Sequence, residues 1–279
     1  MNVVVGLFAG AVTVVFLLVA AAGVLRAPAL ARRNYRDRLV PTAGGVLIVL
    51  AVLVVEAGRA VLGAIGLGDD PGLTTARSLV LFAAFGFGLL GLVDDIVGEG
   101  DESGFRGHVG ALLRGRLTTG LLKLVGGGAV AVVLVASPGF ATGWRLVVDA
   151  LLIALAANLG NLLDRAPGRV IKAGVVAYAP LALVLGTGAV GVAIAPVMGA
   201  ALGLLAPDLR ERLMLGDTGA NVIGAVLGLG VVLGLGQTAR TIVLVVVAAL
   251  NVAAELVSFS KVIDRVPPLR AFDQLGREA

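Results

Sequence analysis

The chain contains no cysteine, so no disulfide and no thiolate metal site can form, and cysteine usage carries no information about redox compartment. Histidine occurs once, at position 108 in a loop, and aromatic residues make up 4% of the chain, which leaves no aromatic and basic platform for nucleic acid. Charged residues are also scarce, at 14% where soluble domains carry about a quarter. What is abundant is apolar: 58% hydrophobic residues and a mean hydropathy of +1.03 over 279 residues. A water-soluble fold of this size cannot hide that much apolar surface, so the composition reads as an integral membrane protein.

A bilayer core of about 30 Å needs roughly 20 apolar residues per helix. Nine segments qualify, at 2–25, 43–67, 79–93, 120–136, 146–163, 170–186, 189–206, 220–236 and 241–259. The expected fold is all-α, a polytopic transmembrane bundle of about nine helices (range 8–10) forming one integral membrane domain over 1–279. The first segment has no basic stretch before it, and its arginines follow, so it reads as an uncleaved helix with its N-terminus outside. Lys and Arg bias then sets the orientation. With 26–38 inside, seventeen cations fall on the cytoplasmic side: Arg26, Arg32, Arg33, Arg36, Arg38, Arg106, Arg114, Arg116, Arg165, Arg169, Lys172, Arg210, Arg212, Lys261, Arg265, Arg270 and Arg277. Only Arg77, Arg145 and Arg240 fall outside, while Arg59 and Lys123 lie within predicted helices. The C-terminus is then cytoplasmic. Within the tail at 260–279, alternation of Leu269, Phe272 and Leu275 with Arg270, Asp273 and Arg277 predicts a short helix on the membrane surface.

Charge at a membrane needs pairing or function, and four polar clusters map to the inner face. Pro41-Thr42-Ala43-Gly44-Gly45 opens the second helix, and Asp94-Asp95 closes the third. Asn158-Leu159-Gly160-Asn161-Leu162-Leu163-Asp164 closes the fifth, and Gly216-Asp217-Thr218-Gly219 opens the eighth. Acids at helix ends also serve as solvated caps, but Asp94, Asp95 and Asp217 together suit a hard cation whose remaining ligands are substrate phosphates. Amides at a helix start bind anions, which makes Thr218 and its glycines candidates for phosphate contact. Asn158, Asn161 and Arg165 recur at i, i+3 and i+7 on one helical face, with Arg169 and Lys172 just beyond Pro167. These cations either bind substrate at the same mouth or anchor the helices by the positive-inside rule. Lys123, near the start of the fourth helix, either snorkels or meets phosphate. Glu56 with Arg59, and Asn251 with Glu255, read as structural pairs.

At these residues the sequence resembles the polyprenyl-phosphate N-acetylhexosamine-1-phosphate transferase superfamily, which includes the phospho-MurNAc-pentapeptide transferase and the GlcNAc-1-phosphate transferase. Pro41-Thr42-Ala43-Gly44-Gly45 is similar to the family's Pro-Thr-x-Gly-Gly, and Asp94-Asp95 to its aspartate pair. Lys123 is similar in placement to a family lysine. Asn158-x-x-Asn161-Leu162-x-Asp164 resembles Asn-x-x-Asn-Leu-x-Asp, and Gly216-Asp217-Thr218-Gly219 resembles Gly-Asp-x-Gly. The motifs follow in family order across most of the chain.

The resemblance implies Mg²⁺-dependent transfer of a phosphosugar from a nucleotide diphospho-sugar to a polyprenyl phosphate at the cytoplasmic face of the plasma membrane. Such a reaction supplies lipid-linked precursors for the cell envelope. It implies Asp217 as metal ligand, Asp94 and Asp95 serving the metal or the lipid phosphate, and Lys123 on phosphate. Mn²⁺ is an alternative metal. Thr42, Gly44, Gly45, Asn158, Asn161, Asp164, Arg165, Arg169, Lys172 and Thr218 are the expected substrate contacts, and a homodimer stays open. Two departures stand out. Pro167 occupies the place of an acid tied to nucleotide-base recognition, and the family's His-rich segment is absent. The alternative is a catalytically weak homologue that binds polyprenyl phosphate as a lipid carrier, transporter subunit or scaffold. A transporter would place its charges near the bilayer midplane, whereas here they gather at one interface.

Overall fold

A computed structural model describes residues 2–68, 72–98, 118–137 and 142–277. Arg106, His108, Arg114 and Arg116 lie outside the described residues. Each of the nine apolar segments overlaps a helix of 17 residues or more: α1 Val3–Ala20, α2 Val46–Ala64, α3 Thr75–Val97, α4 Thr119–Val135, α5 Trp144–Leu163, α6 Arg169–Leu185, α7 Ala189–Leu209, α8 Gly216–Gly234 and α9 Gln237–Leu256. Two short helices follow, α10 Phe259–Arg265 and α11 Pro267–Gln274. Seven of the nine, all but α4 and α6, are long and apolar enough to cross a membrane by themselves. The protein is an all-α polytopic bundle.

Caps set several helix starts. The side chains of Asn2, Thr74 and Thr118 accept from the amides of Val5, Arg77 and Leu121 at 2.9, 3.4 and 3.2 Å, each satisfying an otherwise orphaned donor. The Thr74 cap starts α3 four residues before the apolar run, and the helix continues through Asp94 and Asp95. Both carboxylates therefore stand on its last turns and not in a loop.

α8 is the axis of the bundle. In its most apolar stretch 83% of residues are buried, against 6% in that of α9, and α8 packs on α2, α3, α5, α6 and α7. Small residues allow this. A Cβ on Gly91 of α3 would strike the backbone of Asp217, and one on Gly45 would strike Gly219, so both positions need glycine for backbones to meet. α1 packs on α7 and α2, and α9 lies on α5 at the edge.

Between α1 and α2 the chain forms an antiparallel hairpin, β1 Ala31–Arg33 with β2 Leu39–Pro41. Asn34 closes its turn by accepting from the amides of Arg36 and Arg38, both at 2.9 Å. Long-range contacts dock it, among them Asn34 Nδ2 donating to Glu211 at 2.6 Å and Arg32 donating to the Ile96 carbonyl at the end of α3 at 2.6 Å. At the opposite end of the bundle Glu56 accepts from Arg59 at 3.0 Å, as the sequence leads one to expect, and also from Arg77 Nε at 2.6 Å. The reading that put Arg77 in a loop misses this second partner. Glu56 and Arg77 are both buried, and pairing is what makes charge tolerable at that depth.

Candidate functional site

Odd-numbered helices end, and even-numbered helices begin, at the same end of the bundle, and the polar motifs meet there. The segment before α8 is laid down first. Pro41, Gly44 and Gly45 form a short backbone ladder with it: Met214 donates to the Pro41 carbonyl at 2.7 Å, and the amides of Gly44 and Gly45 donate to the carbonyls of Met214 and Leu215 at 3.0 and 2.8 Å. Ala43 takes a φ of 58° to make this turn. The two glycine amides are thus spent on the protein's own backbone.

Asp95 then fixes the start of α8 from outside. Its Oδ1 accepts from the Asp217 amide at 2.9 Å and from the Thr42 hydroxyl at 3.4 Å. Its Oδ2 accepts from the Thr218 amide at 3.0 Å and the Thr218 hydroxyl at 2.6 Å. Leu215, the residue at the cap position of α8, supplies no side-chain acceptor. Asp95 on α3 takes over that role, satisfying orphan amides and placing a negative charge at the positive end of the helix. Gly216, with a φ of 72°, leaves room for the carboxylate, since a Cβ there would lie 2.6 Å from Asp95 Oδ2.

With Asp95 so engaged, Asp94 and Asp217 turn toward one another around Lys123. The ammonium contacts Asp94 Oδ2 at 3.2 Å and also Asp217 Oδ2. Asn161 completes the group: with its amide nitrogen turned to Asp217 it donates to both carboxylate oxygens, and its oxygen accepts from Lys123 at 3.1 Å. Four side chains from α3, α4, α5 and α8 therefore converge at one point. The side chains of Asp94, Asp217 and Lys123 are 16–23% exposed, open enough to admit a ligand.

Asp164, just past the end of α5, borders this group and accepts from the Gly216 amide. Burial, together with the carboxylates of Asp208, Asp217 and Asp95, pushes its pKa well above the ordinary carboxylate range. Asp208, a residue that sequence reasoning overlooks, is 4% exposed and accepts from the Gly168 amide at 2.8 Å, holding the start of α6. Its signal lay in Asp208-Leu209-Arg210-Glu211-Arg212, a stretch read only for its cations. Glu211, with a φ of 52°, is the anchor of the hairpin.

The structure sets four of the expected substrate contacts apart from this group. Asn158 donates to Asn251 at 2.7 Å, and Asn251 donates to the Leu155 and Val247 carbonyls, which ties α5 to α9. Arg169 is bonded to Asp273, and Lys172 to carbonyls at the end of α11. Arg165 stands exposed on the α5–α6 turn. A cleft of about 210 Å³ lined by Trp144, Arg145, Asp149 and Arg240 lies at the far end of the bundle, where α5 and α9 begin. Its polar walls are an Arg240–Asp149 ion pair at 2.9 Å. Among the described residues, no group of three or more His, Cys, Asp or Glu encloses a metal ion by itself.

Fold and site together define a multi-pass membrane protein with a carboxylate and lysine centre at one end of its bundle. No family model matches the chain. Curated relatives do, and all three described here are phospho-N-acetylmuramoyl-pentapeptide-transferases. That of Deinococcus radiodurans is 31% identical over 195 residues, covering 67% of this chain and 59% of the relative. That of Desulforamulus reducens is 29% identical over 242 residues, covering 78% and 68%, and that of Oceanobacillus iheyensis is 26% identical over 209 residues, covering 66% and 58%. These relatives support the chain's place as a divergent member of the polyprenyl-phosphate N-acetylhexosamine-1-phosphate transferase superfamily. The chain spans about three fifths to two thirds of the length of these relatives.

Proposed function

We propose that this protein transfers a phosphosugar from a nucleotide diphospho-sugar to a polyprenyl phosphate, at the cytoplasmic face of the plasma membrane. A new P–O bond forms between the lipid phosphate and the sugar-bearing phosphorus. The bond to the nucleoside monophosphate breaks, giving a polyprenyl diphospho-sugar and the free nucleotide. The relatives' shared name supports the reaction class. The observation that carries it in this chain is the convergence of Asp94, Asp217, Asn161 and Lys123 at one end of the helix bundle.

The donor set is one that Mg²⁺ accepts: two carboxylates, no nitrogen or sulfur ligand, and open positions for phosphate oxygens and water. When bound, the ion neutralises charge on the transferring and leaving oxygens. Asp94 and Asp217 would hold it. Lys123 stands within reach of the same phosphates, Asn161 orients Asp217, and Asp95 with Thr42 and Thr218 keeps the start of α8 rigid. In phosphoryl transfer the protein's work is positioning and charge compensation, and this group supplies both. The motif resemblance and the positive-inside bias support the cytoplasmic placement of the site.

The test is conversion of a panel of nucleotide sugars to lipid-linked product by purified protein with Mg²⁺. Asp94→Asn and Asp217→Asn should each lose at least about two orders of magnitude in rate. Retention of more than about a tenth of the parent activity in both variants would overturn the assignment.

A further inference from the structure

Arg169 and Arg277 gather on a single carboxylate, Asp273, contributed by the short C-terminal helix α11, and Lys172 holds backbone carbonyls at the end of the same helix. Arg169 grips it with both ends of its fork, Nε to Oδ1 at 2.8 Å and Nη2 to Oδ2 at 3.0 Å, while Nη1 donates to Ser260 at 2.9 Å. Arg277 reaches the same Oδ1 at 2.6 Å. Lys172 donates to the carbonyls of Phe272, Asp273 and Leu275 at the end of α11. Arg169 is 7% exposed and Asp273 is 5% exposed. Surface ion pairs contribute little and come apart readily. A buried bidentate pair is different, because removing one partner leaves a charge stranded.

What this arrangement holds is the turn between α5 and α6. Arg277 Nε donates to the Pro167 carbonyl at 3.0 Å. The Gly168 amide is held from the other side by Asp208 at 2.8 Å. Leu209 lies between the turn and the tail, with its methyls near Gly168 and Gly276. At the near end of the same turn Asp164 accepts from Gly216, the residue before Asp217. Proline at 167 gives the turn no amide to donate at that position, so its carbonyl and its neighbours must do the anchoring.

We propose that the C-terminal strap, residues 267–277, is a positioning element of the site, in which Asp273 acts through Arg169 and Arg277 to fix the 164–168 turn beside Asp217. The inference rests on the reaction proposed above for one of its consequences, which substrate responds. A lipid acceptor enters sideways from the bilayer. The water-soluble donor must enter past the exposed end of the bundle, where the turn and strap stand. Loosening the strap therefore weakens the donor and spares the acceptor.

The experiment uses the full chain, whose lack of cysteine allows a single reporter. A nitroxide placed through Arg165→Cys reads the mobility of the turn. In a separate protein with native Arg165, donor and acceptor kinetics are measured for Asp273→Asn and Asp273→Glu. The expected result is a more mobile label with Asp273→Asn and a donor KM raised about tenfold, with kcat and acceptor KM within about threefold of the parent. Asp273→Glu should recover most of the donor KM. An unchanged line shape together with a donor KM within twofold overturns the proposal. So does an equal loss for donor and acceptor, which marks a merely structural latch. If the parent turns over no nucleotide sugar, the reaction reading fails, while the spin label alone still decides the strap: a turn equally immobile without the Asp273 charge overturns it.

Discussion

Asp94 and Asp95 are adjacent in sequence yet differ in what they touch, and replacing each by Asn separates their roles. Asp95 accepts two backbone amides and two hydroxyls at the start of α8. An Asn side chain keeps one acceptor oxygen and turns an NH₂ group toward the other set of donors. Thr42 or Thr218 can rotate its hydroxyl to accept, but one backbone amide of Asp217 or Thr218 is left facing a donor. An unsatisfied amide costs about 1–3 kcal/mol, and losing a carboxylate at the positive end of a helix costs about 0.3–1 kcal/mol more. Asp95→Asn should thus destabilise the protein by about 1–4 kcal/mol, a fall in melting temperature on the order of 3–15 °C. Asp94→Asn, where the native carboxylate meets side chains, Lys123 at 3.2 Å among them, and caps no helix, should melt within about 2 °C of the parent, by the same order-of-magnitude reasoning. The assay is retention of the monodisperse peak in detergent after heating. If Asp95→Asn melts like the parent and loses all turnover, Asp95 acts on substrate and the capping argument is wrong.

Two further predictions concern charge and topology. Because burial and three neighbouring carboxylates raise the pKa of Asp164, its contribution is fully favourable below the unfolded value of about 3.9 and is lost as pH rises through the folded value. Asp164→Asn should therefore melt at or above the parent at pH 7.5 and match it near pH 4, as melting curves across pH would show; a variant less stable at pH 7.5 contradicts this sign. Cysteines introduced near Gly188 or Gly236 should label from outside intact cells, and those near Arg36 or Arg212 should not. Labelling of Arg212→Cys from outside would put the carboxylate centre on the wrong face.

Apolar run length located all nine long helices among the described residues, because a membrane span is specified by composition alone, without regard to partners. Their ends were less legible. Thr74 lies in a polar stretch, and nothing local says that its cap extends α3 four residues beyond the apolar run. The metal-suited carboxylates, the lysine and Asn161 could be gathered from motif and side, since each sits at a helix end on the same face. The division of labour between Asp94 and Asp95 could not, because it depends on which face of α3 meets α8 at Gly91. Asn158 shares a helical face with Asn161, yet it lies nearly a turn deeper and finds Asn251 on α9 instead. Arg169 and Lys172 counted as cations at a mouth until the chain returned, a hundred residues later, with an acid for Arg169 and backbone carbonyls for Lys172. Contacts of that separation leave no periodic trace in sequence.

Lys123 raises the sharpest question about the centre, because its ammonium stands between the two carboxylates proposed to hold the divalent ion. A cation held by Asp94 and Asp217 must share their oxygens with Lys123 or displace it toward the phosphates. Two unit charges 4 Å apart interact by about 4 kcal/mol at an effective dielectric of 20, so the ammonium opposes metal binding while no phosphate is present. Removing it should tighten the metal even as it removes a phosphate contact needed for turnover. Lys123→Ala is therefore expected to bind Mn²⁺ at least about tenfold more tightly, or about 1.4 kcal/mol, by paramagnetic titration in detergent without substrate. Without metal it should be less stable than the parent, since two carboxylates then face each other unpaired. Its activity should fall by a factor of about a hundred or more, in keeping with the loss of one preorganised charge contact. Affinity for Mn²⁺ unchanged in Lys123→Ala and undiminished in Asp217→Asn would refute the assignment, for no ion sharing oxygens with that ammonium can be indifferent to both.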